Sequence, residues 1–127
     1  MKRKKITAKG ITSVGPYSQA IEVDGFVYLS GQTPLDQTTG KLVEGDIKAQ
    51  TQQVFKNLWS VLESAGLTSD NVIKVNVFLT DMKLFSEMND VYKTEFTEPY
   101  PARSTVGVKE LPLGASIEIE LIAKRSC

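Results

Sequence analysis

Tyr100-Pro-Ala-Arg-Ser-Thr-Val-Gly-Val108 reads as a strand that opens on a proline and carries one arginine near its start. Pro101 is tolerated there because the first residue of a strand need not donate to the ladder. Side chains alternate across a strand, so Ser104, Val106 and Val108 point one way and Arg103, Thr105 and Gly107 the other. The second face offers a cation, a hydroxyl and open space, which suits a small anion. The last strand, Ser116 to Ala123, sorts the same way. Ile117, Ile119, Leu121 and Ala123 form its apolar side, while Ser116, Glu118, Glu120 and Ile122 form the other. Leu111-Pro-Leu-Gly114 is a turn between them. A hairpin there is expected to bring Glu118 and Glu120 onto the face of Arg103 and Thr105.

The elements before this stretch set the fold class. Residues 2–8 read as a short edge strand blunted by lysines, and 10–16 as a loop. Tyr17–Val23 and Phe26–Ser30 read as strands around the turn Asp24-Gly25. The second of these is apolar on both faces, which predicts burial on both sides. Gly31–Gly45 reads as a long loop. The clearest helix runs from Asp46, a candidate N-cap, to Ala65, with Gly66 as its C-terminal glycine. Its stripe is Ile47, Val54, Leu58, Val61 and Leu62, widened by Phe55 and Trp59. Asn71–Thr80 is a strand with Ile73, Val75, Val77 and Leu79 on one face and Val72, Lys74, Asn76 and Phe78 on the other. Asp81 can cap a second helix to about Phe96, with Leu84, Phe85, Met88, Tyr92 and Phe96 on its apolar side. Glu98-Pro99 ends it. The order points to an α+β sandwich, with two helices on one face of a mixed sheet. The other face still carries Val72, Phe78, Ile122 and half of 26–30, and is expected to pack on another copy of the chain.

Composition narrows the function classes. The 127 residues suit one domain, 1–127, and 41% hydrophobic with 24% charged residues is ordinary for a globular chain. Lys+Arg and Asp+Glu stand at 15 each, which supplies no general drive toward nucleic acid. The basic start Met1–Lys5 reads as a solvated terminus. No apolar run reaches membrane-spanning length, and no apolar stretch follows the N-terminal charges as a secretory signal would. The lone cysteine, Cys127, cannot form a disulfide within the chain, which fits a reducing, cytoplasmic setting. There is no histidine, so Ser-His-Asp and Cys-His nucleophile systems and His-ligated metal are excluded within the chain. Gly40-Lys41 is not a phosphate loop, since Leu42 stands where Ser or Thr is needed.

An arginine facing glutamates has two readings. One is a cross-strand ion pair at a subunit contact, the commoner outcome for such a pattern. The other is a site in which the arginine fork holds a carboxylate and a glutamate positions a water as general base. Alternation does not separate Glu118 from Glu120 in that role.

Several motifs add to this. Gly15-Pro-Tyr-Ser-Gln-Ala20, Ser30-Gly-Gln32, Thr80-Asp81-Met82, Asn89 with Tyr92, Pro101-Ala-Arg-Ser104 and Ile117-Glu-Ile-Glu120 resemble the reactive intermediate deaminase family (RidA, also called YjgF or endoribonuclease L-PSP). The likeness spans nearly the whole chain. It implies a chorismate-mutase-like fold, a homotrimer with a central β-barrel, and clefts between subunits. It implies hydrolysis of enamines and imines such as 2-aminoacrylate and 2-iminobutanoate to 2-keto acids and ammonia, with no cofactor and no metal. Residue by residue, it makes Arg103 the carboxylate clamp and Glu118 the residue that orients water. It places Tyr17, Ser30, Gly31, Asn89 and Thr105 around the substrate. Many members carry cysteine where this chain has Thr105, so thiol-based activation is not expected here. The segment between Phe96 and Pro101 is slightly short, which would reshape the cleft edge. A small-ligand-binding regulator and a ribonuclease are the alternative functions.

Overall fold

The computed structural model describes residues 2–11 and 15–126. Cys127, and residues 12–14 of the loop expected at 10–16, lie outside them. In chain order the elements are β1 (Lys4–Ile6), β2 (Ala20–Val23), β3 (Phe26–Gln32), β4 (Leu35–Asp36), β5 (Lys41–Leu42), α1 (Ile47–Ser64), β6 (Val72–Leu79), α2 (Phe85–Glu95), β7 (Ala102–Gly107) and β8 (Ile117–Lys124). Six strands form one mixed sheet in the order β1-β2-β3-β8-β6-β7, and β4 pairs with β5. The expected α+β class holds, with β1 at an edge.

Local chemistry explains the clearest elements. Asp24 and Gly25 both take positive φ, 53° and 81°, as a two-residue hairpin between twisted strands requires. Asp46 accepts the Ala49 N–H at 3.0 Å and starts α1. Gly66, at φ +76°, lets the chain leave it. Asp81 accepts from the Lys83 N–H at 2.9 Å and caps a 3-10 turn, Met82–Leu84, that leads into α2. The two helices pack on one face of the sheet. Val54, Phe55, Leu58, Leu62, Met88 and Tyr92 meet Val27, Val75, Val77, Ile117, Ile119 and Leu121 in one buried cluster. Trp59 Nε1 donates to Glu95 Oε1 at 2.7 Å and ties the helices together.

Three expectations need correction. First, β7 does not form a hairpin with β8. It lies parallel to β6, with Val75 opposite Arg103 and Val77 opposite Thr105. A helix separates β6 from β7, and a helical crossover returns the chain to run parallel to the strand it left. The nine residues between β7 and β8 then carry the chain past β6, so that β8 enters between β3 and β6. Arg103 and Thr105 therefore stand on the helix side, while Glu118 and Glu120 stand on the opposite face. Second, β6 contains a bulge. Val72 pairs with Ala123 and Lys74 with Ile122, which leaves Ile73 unpaired. Ile73 is thus exposed and Val72 buried, the reverse of simple alternation.

Burial of β3 on both sides was expected to need another copy of the chain; within the single chain its helix-free face is open. Tyr28 is 47% exposed on the face without helices. Ile73 and Val106 are exposed as well. Third, Gly31–Gly45 is not structureless. It holds the β4–β5 hairpin, whose turn is fixed by the Asp36 carboxylate accepting from the Thr38 N–H at 2.8 Å. Asn57 of α1 pins this segment, donating to the Thr33 and Leu35 carbonyls at 3.2 and 2.9 Å. Asn57 is 1% exposed, and its removal takes one donor from each carbonyl, leaving Thr33 O with the Leu35 N–H at 2.7 Å and Leu35 O with Gln37 Nε2 at 3.4 Å, while Gln53 Nε2 loses the Asn57 Oδ1 acceptor. Asn57→Ala is expected to destabilise the chain by about 1–3 kcal/mol, read as a lower midpoint in urea with an unchanged slope.

Candidate active site

Arg103 enters on an edge strand and is met by α2. Phe85, Asn89 and Tyr92 fall at i, i+4 and i+7 on that helix, so they share the face turned to β7. The guanidinium lies 4.5 Å from the Tyr92 ring centroid and 5.5 Å from that of Phe85. Arg103 Nη1 donates to Asn89 Oδ1 at 2.7 Å. Two rings and one amide thus fix the plane of the fork and leave its remaining N–H donors for an anion. Around it, Asn89, Tyr92, Lys93, Tyr100, Pro101 and Arg103 line a cleft of about 470 Å³. Tyr92 is nearly buried, and this pushes its phenol above the ordinary value despite the opposing charge of Arg103. The hydroxyls of Tyr92 and Thr105 are buried without a hydrogen-bond partner.

The other predicted residues gather on the opposite face. Tyr17, Ser30, Gly31 and Glu118 line a second cleft of about 540 Å³, together with Leu35, Pro112, Leu113 and Glu120 among others. Gly31 is needed there for room. A Cβ on it would lie 2.8 Å from Glu118 Cδ, so the glutamate side chain rests directly against the backbone of β3. The Ser30 hydroxyl does not face the opening freely; it donates to the Ser18 carbonyl at 2.7 Å and so holds the segment that carries Tyr17. Gln19, also buried, accepts from the Ala8 N–H and donates to the Ile11 carbonyl, both at 2.7 Å, and anchors the same segment.

The two glutamates differ in their surroundings. Glu120 Oε2 accepts from Asn76 Nδ2 at 3.1 Å, across β8 and β6. Among the described residues no such donor meets Glu118. Burial, and secondarily the charge of Glu120, push its carboxyl above the usual carboxylate value. The structure therefore distinguishes the pair where alternation could not. Asn89, Arg103 and Thr105 stand on one side of the sheet, and Tyr17, Ser30, Gly31 and Glu118 on the other. Within one chain the cation and the raised carboxylate do not meet, and no ion pair links them.

Sequence reasoning placed Phe85 and Tyr92 in the core and missed their grip on Arg103. Their spacing with Asn89 was the available signal. It also passed over Asn57, a polar residue at helical spacing between Val54 and Val61, and gave Leu113 only a place in the turn Leu111–Gly114.

The chain matches the family model described as Endoribonuclease L-PSP over residues 7–125. It belongs to that family, the one its motifs resemble. A "RutC family protein" of Aquifex aeolicus is 52% identical over 119 residues, covering 92% of this chain and 94% of that one. The 2-iminobutanoate/2-iminopropanoate deaminase of Mus musculus is 44% identical over 117 residues, covering 92% and 87%. Among solved structures, E. coli TdcF with bound serine superposes with a TM-score of 0.91 at 37% identity, covering 97% of this chain and 99% of that one.

The raised Glu118 has a consequence for stability. Folding holds its carboxyl above the unfolded value, so ionising it costs the fold stability as pH rises through the folded pKa. Below the unfolded carboxyl pKa no such cost exists. Glu118→Gln is expected to raise the melting temperature at neutral pH, and the gain should vanish in acid, as read from thermal unfolding across a pH series.

Proposed function

We propose that the chain hydrolyses reactive 2-imino acids and their enamine forms, of the 2-aminoacrylate and 2-iminobutanoate type, to 2-keto acids and ammonia. The observation that carries this reading is a preset arginine fork on one face and an unpaired, raised glutamate in a cleft on the other. Two copies of the chain can bring such surfaces together, as the exposed Tyr28, Ile73 and Val106 on the helix-free face would favour. The active unit is then the homotrimer, with Arg103 from one copy and Glu118 from the next at each cleft, in a cytoplasmic setting. Relatives bearing the deaminase name, at 44% identity in the mouse protein, support the reaction class.

The chemistry suits a site without histidine. A protonated imine is already electrophilic at C2. Arg103 holds the substrate carboxylate through its free N–H donors, with Asn89, Phe85 and Tyr92 keeping the fork in place. Glu118 accepts a proton from the attacking water as oxygen bonds to C2. Glu118 passes that proton to the amine nitrogen of the resulting carbinolamine; the C–N bond then breaks, the hydroxyl gives its proton to Glu118 as the C2 carbonyl forms, and ammonia leaves. Gly31 lets Glu118 lie close to β3, and Tyr17 closes one side of the cleft.

Sharing a site between copies is directly testable. Glu118→Gln should slow imine hydrolysis by roughly 100-fold. Arg103→Ala should raise KM by roughly 10–100-fold, the worth of a charge-assisted bond. Mixed oligomers of the two variants, reassembled after denaturation, should regain activity at low substrate, because some clefts receive Arg103 and Glu118 intact from different chains. Absence of any recovery in verified mixed oligomers would sink the shared site. Binding of 2-keto acids without any acceleration of imine decay would instead favour a small-ligand regulator.

The pH dependence follows from the ionisation of Glu118. A water-activating carboxylate must be charged, so the catalysed rate relative to the uncatalysed one should fall as pH drops through its raised pKa. Glu120→Gln removes a neighbouring negative charge and should move that midpoint to lower pH. An unmoved midpoint in the variant's rate profile would assign the titration to another group.

A further inference from the structure

The deaminase reading fixes two parts of a substrate and leaves the third open. A 2-imino acid carries a carboxylate, an imine nitrogen and a side chain around C2. If Arg103 holds the carboxylate and Glu118 faces the attacking water, the side chain must lie along the rest of the Glu118 cleft. Tyr17, Leu35, Pro112 and Leu113 give that remainder its apolar surface, with Gln32, Thr33 and Glu120 as its polar members.

Leu113 is the unusual member. It is 68% exposed, more than Tyr17, Tyr28, Tyr100 or any other exposed large apolar side chain among the described residues. Its backbone is left-handed, φ 62° and ψ 13°, a region that disfavours a residue with a Cβ. The following Gly114 is left-handed too, at φ +71°. The turn that holds them is closed by two hydrogen bonds, Gly114 N–H to the Leu111 carbonyl at 3.2 Å and Ala115 N–H to the Pro112 carbonyl at 3.1 Å. A leucine kept out of the core on an unfavourable backbone, at the lip of a cleft, is not explained by core packing. Tyr17, 51% exposed, lines the same cleft on a segment held by Ser30.

We propose that Leu113, together with Tyr17, selects the substrate's side chain, favouring 2-imino acids with branched aliphatic side chains over the smallest ones and rejecting acidic ones. Rejection follows from the lining: among the described residues this chain contributes Glu118 and Glu120 and no lysine or arginine, and the cation supplied by the next copy, Arg103, is already taken by the substrate carboxylate. The proposal rests on the deaminase reading and deepens it, since it assigns the specificity of that same cleft.

The test uses imines made in situ from leucine, alanine and glutamate by an amino-acid oxidase, with acceleration of their hydrolysis as the readout. The wild-type chain should act best on the leucine-derived imine, less well on the alanine-derived one and least on the glutamate-derived one. Leu113→Ser should lower the leucine-to-alanine ratio of kcat/KM by about 10-fold, the scale set by lost apolar contact in a pocket. Leu113→Met should largely restore the ratio. Equal acceleration of all three imines by the wild-type chain, or an unchanged ratio in Leu113→Ser, overturns the proposal while leaving the deaminase reading intact. A fall in oligomer mass in Leu113→Ser, by light scattering, also overturns it by giving the leucine to assembly. No acceleration of any imine removes the deaminase reading and this proposal with it.

Discussion

The register of β8 between β3 and β6 is the constraint on which most of the structure depends. This strand is the last in the chain, yet it fills the middle of the sheet and bonds on both edges. Leu121 stands beside Leu29 and Val75, and Ile119 beside Gln32 and Val77. A slip of one residue would send Ile117, Ile119, Leu121 and Ala123 to the helix-free face and push Glu118 and Glu120 into the core. Core burial and the position of the candidate general base are thus fixed by the same pairing. The bulge at Ile73 and the irregularity between Leu29 and Gln32 flank that pairing and absorb the mismatch with its neighbours.

Short-range chemistry was legible in the sequence. Asp46, the apolar stripe and Gly66 defined α1 because a cap, a 3.6-residue period and a left-handed exit are local properties. Asp24-Gly25 announced its turn for the same reason. The apolar side of β8 was also correct, since alternation belongs to a single strand. Beyond the β2–β3 hairpin, the neighbour of each strand was not legible. Alternation sorted Arg103 from Ser104 but carried no information on which way up β7 lies. The crossover through α2 decides that, and it turned Arg103 toward the helices.

The site shows the same division. Motif likeness selected Tyr17, Gly31, Asn89, Arg103 and Glu118, and these do sit at two clefts rather than scattered over the surface. What likeness could not supply was the physical work of each group. Ser30 proved to hold a loop, and the guanidinium proved to lie over the rings of Phe85 and Tyr92. Glu118 and Glu120 are equivalent by spacing but unequal once Asn76 is seen to serve only one.

The grip of α2 on Arg103 bears on binding thermodynamics. A free arginine samples many rotamers, and a ligand that captures it must normally overcome that freedom. Here the freedom is already lost when the chain folds, because stacking and the Asn89 bond restrain the fork in advance. Capture of an anion at this position therefore carries a smaller ordering penalty than capture by a surface arginine would. The calorimetric signature of a carboxylate settling there should be a modest entropy term, with the favourable enthalpy of the new hydrogen bonds largely uncompensated.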